Sequence, residues 1–236
     1  MGSSRLPGKV LAEIGGRPAL SWLLARLRRC RSLDGIVLAT STNPADDALE
    51  RWAEGEGVAC HRGSEDDVLA RVVEAQASQR SEIVVEITGD SILTDPEIVD
   101  LGVETFLAND CDVVSNCGRT LTFPMGVYVQ VFPLRLLRDV AERIADAAVR
   151  EHVSLYFYEH PERYRLIELV APARWRGPEL RFQLDYPDDL RFQREVHARL
   201  APRHGDAFGI EEIMALLRAE PDLAAINAHC QERTAR

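Results

Sequence analysis

Short runs of β-branched residues alternate with amphipathic helical patterns, and this alternation constrains the fold more than any other feature of the chain. Pro44 follows Asn43 and Pro96 follows Asp95, a pairing of cap and first-turn proline that is typical of helix starts. Strands and helices in this order predict right-handed βαβ crossovers, a mainly parallel sheet and a doubly wound α/β fold. The predicted strands are 35–40, 58–61, 83–88 and 112–116, and the predicted helices are 44–57, 65–79 and 95–110.

The pattern is looser after residue 117. We find no internal repeat, low-complexity segment or linker, which indicates a single domain over residues 1–236. The second half is predicted to contain strands at 127–132, 164–170 and 180–184, helices at 146–160 and 187–200, and a C-terminal helix that turns at Pro221 into a final short helix.

Composition excludes several classes of protein. The formal net charge is -10, whereas nucleic-acid surfaces require clustered Lys and Arg. No apolar run approaches the roughly 20 residues that span a bilayer, and the N-terminus lacks a signal-peptide core. The five cysteines are an odd number without zinc-site spacing, so we expect reduced thiols. These features predict a cytoplasmic protein that binds neither nucleic acid nor membrane; they are compatible with a homodimer and do not fix the oligomeric state.

Ligands of open α/β sheets bind beyond the carboxyl ends of the strands. The segments that follow the predicted strands are 41–43, 62–67, 89–96 and 115–120. We therefore expect these four loops and the N-terminal loop to share one rim of the sheet.

The N-terminal loop has the composition of a phosphate-binding loop. Small residues allow the backbone to approach an anion, and two cations four positions apart can reach one polyphosphate. The alternative is an ordinary flexible N-terminus, but the loop leads directly into Gly15, Gly16 and Pro18, which predict an ordered turn before a helix from Leu20. The candidate phosphate ligands are Gly2, Ser3, Ser4, Arg5, Gly8 and Lys9.

Two aspartates follow predicted strands and are candidate metal ligands. Asp90 lies just beyond strand 83–88, and Asp185 ends strand 180–184. A lone carboxylate at a strand end is more often a helix cap, but two carboxylates with phosphate and water suit Mg²⁺. Asp188 and Asp189 are better explained as the capped first turn of the helix that begins near Pro187.

A third cluster lies in the helical segment 146–160. Arg150, Glu151 and His152 are consecutive, and Tyr156 follows His152 by four positions. This spacing fits either a group of side chains on a helix surface or part of a binding site, and the residues alone do not decide between them.

Six segments of the chain together resemble the cytidylyltransferases related to the spore coat polysaccharide biosynthesis protein SpsF, which are relatives of the synthetases of CMP-activated acidic sugars. They cover nearly the whole chain in the order of that family. The segments are MGSSRLPGKVL, ATSTNPADD, RGSEDDVLARV, ITGDSILTDPEIVD, REHVSLYFYEHPERY and LDYPDDL.

The resemblance implies a nucleotide-diphospho-sugar transferase fold and roles for particular residues. Arg5 and Lys9 resemble the triphosphate ligands, and Asp90 and Asp185 resemble the carboxylates that hold Mg²⁺ or Mn²⁺. Residues 1–117 would form a nucleotide-binding half, and residues 118–236 the acceptor side with the C-terminal helices. The residues placed near the base and ribose are Thr40, Ser41, Asn43, Arg62, Gly63, Ser64 and Asp66; those assigned to the acceptor are Arg119, Tyr128, Gln130, Arg150, Glu151 and His152.

The chain departs from the family pattern in two places. Relatives usually carry a short strand before the N-terminal signature, so we expect the sheet to lack its usual first strand. Relatives also commonly carry acidic residues where this chain has Met125, Tyr128 and Gln130, which puts a sugar acid as the acceptor in doubt.

The sequence thus predicts a metal-dependent enzyme that transfers CMP from CTP to a small-molecule acceptor, such as a sugar, sugar acid or phosphonate, and releases pyrophosphate. One alternative is a glycosyltransferase of the same fold, for which Asp110 and Asp112 supply an Asp-x-Asp motif, although this motif precedes its strand. A second alternative is a nucleotide-binding homologue without catalytic activity.

Overall fold

The computed structural model describes residues 2–3, 5–118 and 120–231. A 3₁₀ helix, Lys9–Leu11, follows the N-terminal loop, and the antiparallel hairpin of β1 (Glu13–Ile14) and β2 (Arg17–Pro18) leads into α1 (Ala19–Leu27). Gly15 and Gly16 form the turn with φ values of 58° and 84°, which other residues rarely adopt. The predicted ordered turn before a helix is confirmed.

The other strands form a parallel pair and a four-stranded mixed sheet. β3 pairs with β4 in parallel, and the larger sheet has the order β5-β7-β6-β8. β7 is antiparallel to both neighbours, because the chain between β6 and β7 reverses through a loop instead of a crossover helix. The strands are β3 (Val37–Ser41), β4 (Ala59–Gly63), β5 (Ile83–Glu86), β6 (Val113–Ser115), β7 (Gln130–Pro133) and β8 (Leu166–Glu168).

Helices connect these strands and cover the sheet, as the alternating pattern predicts. A 3₁₀ turn, Pro44–Asp46, precedes the second helix. None of the helices within the described ranges is long and apolar enough to cross a membrane. The helices after α1 are α2 (Asp47–Glu56), α3 (Val68–Ser78), α4 (Pro96–Ala108), α5 (Leu134–Arg143), α6 (Ala147–Glu151), α7 (Leu155–Glu159), α8 (Pro187–His204), α9 (Ile210–Ala219) and α10 (Asp222–Ala225).

Two predicted elements differ in the structure. The predicted helix at 146–160 is two short helices, because the backbone at His152 leaves the helical region with φ -112° and ψ 93°. The predicted strand at 180–184 is an extended loop in which Arg181 makes an isolated bridge with Met125. Gly126 follows the bridge with φ 91°, which turns the chain out of the extended conformation, so the pairing does not continue as a strand.

The larger sheet is buried on both faces. Val114 belongs to the main core cluster with Ile98 of α4 and Val196 of α8, whereas the neighbouring Val113 faces a second cluster with Phe157 of α7. Successive strand residues point to opposite faces. The sheet is therefore the middle layer of three, which is the doubly wound arrangement.

The facing edges of β3 and β5 are separated by open space. Two cavities of about 320 and 630 Å³ lie between these strands, and within the described residues neither facing edge pairs with another strand. Leucines of α1 line the first cavity on one side, and Val72 and Ala75 of α3 line it on the other. This is the position in which a strand feeding the N-terminal loop would lie, and none of the described residues forms a strand there.

Candidate active site

The N-terminal loop lies against the carboxyl end of β5. The hydroxyl of Ser3 accepts a hydrogen bond from the backbone N–H of Leu6 at 3.3 Å, and Val10 packs beside Gly89. Gly2 lies next to the side chain of Glu65, beyond the end of β4. The loop therefore lies on the predicted rim; Ser4 falls outside the described residues.

Asp90 and Asp185 meet at the end of this loop. The backbone N–H of Leu184 donates to the carbonyl of Asp90 at 3.0 Å, which brings the segment before α8 beside the segment after β5. The Nζ of Lys9 then pairs with both carboxylates, with Oδ2 of Asp90 and with Oδ1 of Asp185 at 2.6 Å. Three residues predicted from distant segments thus form one cluster.

Arg5 adds a second cation to the cluster. Its Nη2 lies 2.8 Å from Oδ1 of Asp185, and its guanidinium lies over the ring of Tyr186 at 5.1 Å. Its other terminal nitrogen, Nη1, is buried without a partner among the described residues. Buried donors normally have acceptors, so this nitrogen is available to an anionic ligand.

A buried ion-pair network fixes Asp185 from behind. Arg181 donates to Asp185 at 3.1 Å and to both oxygens of Asp189, and Asn227 also donates to Asp189. Asp189 accepts the backbone N–H of Tyr186, so its predicted role as a helix cap is confirmed. Burial alone would raise the pKa of Asp185, but Lys9 and Arg5 outweigh burial and lower it. The carboxylate therefore stays ionised.

The two carboxylates suit a divalent cation. A single ammonium contacts Asp90 and Asp185 together, so their oxygens are close enough to share one positive charge. Carboxylate oxygens are the ligands that Mg²⁺ prefers, and it usually keeps waters or phosphates as its other ligands. No group of three or more His, Cys, Asp or Glu residues in the described ranges could hold a metal. Mg²⁺ here would therefore depend on oxygens from a bound phosphate and water.

The candidate nucleotide ligands at the end of β3 and just after it are mostly engaged in local contacts. Thr40 and Ser41 are buried, and both hydroxyls donate to Oδ2 of Asp46, at 2.7 and 2.6 Å. Asn43 caps the Pro44–Asp46 turn and donates to Glu65 at 2.8 Å. These bonds shape the rim and leave the hydroxyls of Thr40 and Ser41 facing the protein.

The loop after β4 completes this side of the rim. Arg62 donates to the backbone carbonyls of Ser41 and Asn43, so it holds the neighbouring loop in place. Ser64 and Asp66 are exposed, whereas Gly63 is buried under Arg71. Of this segment, Ser64 and Asp66 are therefore the side chains best placed to meet a ligand.

The acceptor candidates fall into two separate places. Gln130 lies on β7, where its Oε1 accepts from Tyr158 at 2.6 Å, and Tyr128 precedes it on the same segment. Arg150 instead pairs with Asp67 at 2.7 Å and donates to the carbonyl of Ala141, so it fastens α6 to the start of α3. Glu151 and His152 are exposed beside it, and Arg119 falls outside the described residues.

The Asp-x-Asp motif of the glycosyltransferase alternative is engaged elsewhere. Asp110 and Asp112 both pair with Arg165, which leads into β8. This contact lies at the start of β6, at the opposite end of the strand from the rim.

Several site residues escape sequence reasoning. Arg181 lies four positions before Asp185 in a segment predicted as a strand, and only the contacts of that loop reveal its role. Thr88, just after β5, donates to Asp90 at 2.7 Å. Glu86, the last residue of β5, accepts a long hydrogen bond from Gln130 at 3.4 Å. Polar residues at the end of an otherwise apolar strand were the available signal.

Comparison with known proteins identifies the family and the fold of the chain. The cytidylyltransferase family model matches residues 1–222. The spore coat polysaccharide biosynthesis protein SpsF of Bacillus subtilis is 32% identical over 229 residues, which cover 95% of this chain and 93% of that protein.

Two solved structures show the same fold. A cytidylyltransferase from Leptospira borgpetersenii superposes with a TM-score of 0.89 at 27% identity, covering 99% of this chain and 95% of that one. A CMP:2-keto-3-deoxy-manno-octonic acid synthetase solved with CTP superposes with a TM-score of 0.62 at 17% identity, covering 84% and 95%. The predicted nucleotide-diphospho-sugar transferase fold is confirmed, and the chain belongs to the cytidylyltransferase family of nucleotidyltransferase enzymes.

Proposed function

We propose that this enzyme transfers CMP from CTP to an oxygen of a small acceptor and releases pyrophosphate, with Mg²⁺ or Mn²⁺ as its cofactor. The observation that carries the proposal is the convergence of Lys9, Arg5, Asp90 and Asp185 at the carboxyl end of β5. A site of two carboxylates and two cations suits a metal-bound polyphosphate.

Lys9 and Arg5 would bind the phosphates of CTP. The ammonium of Lys9 is a compact charge that suits the β- or γ-phosphate. The Nη1 of Arg5, which has no partner among the residues that the structure describes, can donate to a further oxygen. Asp90 and Asp185 would hold the metal ion, which neutralises charge on the phosphates when it is bound. Arg181 and Asp189 hold Asp185 in position through hydrogen bonds to its side chain and its backbone N–H, and Lys9 and Arg5 lower its pKa.

The reaction requires no covalent protein nucleophile. An acceptor oxygen attacks the α-phosphorus in line. The bond between the α-phosphorus and the oxygen that bridges it to the β-phosphorus breaks, and pyrophosphate leaves. Most of the rate enhancement in such transfers comes from positioning and charge neutralisation. The residues that hold the reacting groups in place are therefore expected to matter more than any single general base.

The acceptor side is proposed to lie at the start of β7, where Gln130, Tyr158 and Tyr128 offer neutral hydrogen-bonding groups. The relatives are named for spore coat polysaccharide biosynthesis and for a synthetase of a CMP-linked sugar acid. These names support a sugar, sugar acid or related molecule as the acceptor. In this scheme residues 1–117 supply most nucleotide contacts, and residues 118–236 supply Asp185 and the acceptor contacts.

A pyrophosphate-release assay tests the proposal. The enzyme is mixed with CTP, ATP, GTP or UTP, each with Mg²⁺ and a panel of neutral sugars, sugar acids and phosphonates. We expect release that requires CTP, metal and one acceptor class together. CTP binding without turnover for any acceptor would instead support the non-catalytic alternative.

A further inference from the structure

We propose that Lys9 is a placeholder cation: its ammonium lies between Asp90 and Asp185 where the divalent ion would lie, and the bound triphosphate draws it away. The inference rests on the proposed function, because it concerns how the same site takes up metal and nucleotide. Metal binding and triphosphate binding would then be coupled through one side chain.

The contacts of Lys9 support this role. Oδ1 of Asp185 accepts Lys9 at 2.6 Å, and the same Nζ pairs with Oδ2 of Asp90. These are the two oxygens that would meet a shared metal ion. Lys9 and Asp90 are each 14% exposed and Asp185 is 2% exposed. Without Lys9, Asp185 would keep Arg5 and Arg181 as cationic partners, whereas Asp90 pairs with no other cation among the described residues.

The choice of residue type points the same way. Lys9 is the only lysine among the 28 Lys and Arg residues of the chain. A guanidinium is planar and suits bidentate pairing, whereas an ammonium is a compact point charge that fits between two carboxylates. The one position with lysine is thus the position where a compact cation must fit between two carboxylates.

The consequence is a competition that the nucleotide resolves. An ammonium and a divalent ion cannot occupy the space between the same two oxygens, so metal uptake requires Lys9 to leave. Lys9 then needs another anion, and the triphosphate supplies one. By linkage, each of the two ligands raises the affinity of the site for the other. Without nucleotide, Lys9 would compete with divalent ions for the carboxylate pair, so that these ions bind only at high concentration.

The first test measures Mn²⁺ binding to the nucleotide-free protein by titration calorimetry or electron paramagnetic resonance. Lys9→Gln removes the competing charge and should bind Mn²⁺ about tenfold more tightly than the unmodified protein, within the usual range of coupling. Arg143→Gln loses an equal charge from an exposed pair with Asp139 and should bind Mn²⁺ like the unmodified protein. The double variant Lys9→Gln with Asp90→Asn should lose the gain. Equal Mn²⁺ affinity in Lys9→Gln and the unmodified protein would overturn the proposal.

The second test uses the unmodified protein, so it does not depend on how a variant folds. Because Lys9 is the only lysine, an amine-reactive label followed by mass spectrometry of its peptide reports on this side chain alone. Saturating Mn²⁺ without nucleotide should displace Lys9 from its carboxylates and raise its labelling rate several-fold. An unchanged rate at saturating Mn²⁺ would contradict displacement. Neither test requires CMP transfer, so failure of the proposed function would be recognised separately.

Discussion

Lys9 and Asp185 are 176 residues apart in the chain, and their side chains meet at 2.6 Å. Two backbone arrangements make this contact: the N-terminal loop packs against Gly89 at the end of β5, and Leu184 donates to the carbonyl of Asp90. The contact joins the segment expected to bind phosphate with the segment expected to bind metal. The predictions below follow from it.

Asp90→Asn should lower the rate of pyrophosphate release by about 100-fold or more, the scale seen when one electrostatic contact to a transition state is removed. Asp90 is partly exposed and lies outside the core, so the melting temperature of the variant should stay close to that of the unmodified protein. The measurement is a pyrophosphate assay with a melting curve on the same preparation. Full activity of Asp90→Asn at low Mg²⁺ would rule out Asp90 as a metal ligand.

Asp185→Asn should also lose activity, but with a cost in stability of roughly 1–3 kcal/mol because it leaves the buried Arg181 with a weaker partner. Its pKa is lowered in the folded protein, so the stabilisation from the charged form is present at neutral pH and is lost as pH falls through the folded pKa. Chemical unfolding of the unmodified protein and of Asp185→Asn should show that the difference between their free energies of unfolding is smaller at acidic pH than at neutral pH. A difference independent of pH would contradict the ion pair.

Lys9→Ala should weaken CTP binding by about tenfold or more while changing CMP binding little, because a charged hydrogen bond to the β- or γ-phosphate is lost. Calorimetric titrations with CTP and CMP provide the comparison. Arg143→Ala is a matched control that removes a cation from an exposed helix surface. Equal losses for the two nucleotides would show that Lys9 does not reach the terminal phosphates.

Glu86→Gln should stabilise the protein at pH 8 more than at pH 5. Burial raises the pKa of Glu86 to about 7, so the folded state holds a proton that the unfolded state releases at lower pH. The contribution of protonated Glu86 to the free energy of unfolding is fully present below the pKa that Glu86 has in the unfolded chain. It is lost as the pH rises towards 7, by roughly 1–3 kcal/mol. Glu82→Gln, at an exposed position just before the same strand, serves as the control. The same response to pH in both variants would remove Glu86 as the cause.

A strand placed between β3 and β5 should stabilise the protein. An N-terminal extension of about ten residues, containing one apolar β-branched strand, is expected to fill the two cavities and to pair with the facing edges of β3 and β5, which no other strand of the described ranges occupies. It should raise the melting temperature and the turnover rate, because it would also anchor the loop that carries Arg5 and Lys9. A Gly-Ser extension of equal length is the control. Equal melting temperatures for both extensions would show that the space does not take a strand.

Much of the architecture follows from sequence pattern, because β-branched runs and capped amphipathic helices are local signals. The helix starts at Asp47, Val68 and Pro96 lie within three residues of the predicted ones. The segment 180–184 could not be assigned in this way, since its apolar alternation is typical of a strand, whereas only Arg181 pairs, with Met125 just before the turn at Gly126. Its course is set by tertiary contacts.

The candidate site shows the same division. Arg5, Lys9, Asp90 and Asp185 are found from strand ends and loop composition, and the structure brings them together. Thr40 and Ser41 at the end of β3 and Arg62 at the end of β4 have suitable polar groups, yet those groups are bound to neighbouring side chains or carbonyls. Which way a side chain of a polar loop points depends on partners that sequence spacing does not reveal.

The central claim is that the α-phosphorus of CTP is transferred. The most direct measurement supplies CTP radiolabelled at either the α- or the γ-phosphorus, with Mg²⁺ and an accepted sugar or sugar acid, and follows the label by chromatography. If CMP is transferred, the α-label enters a new CMP-linked acceptor and the γ-label appears in pyrophosphate. Appearance of the γ-label in the acceptor, or of inorganic phosphate as the first labelled product, would contradict it.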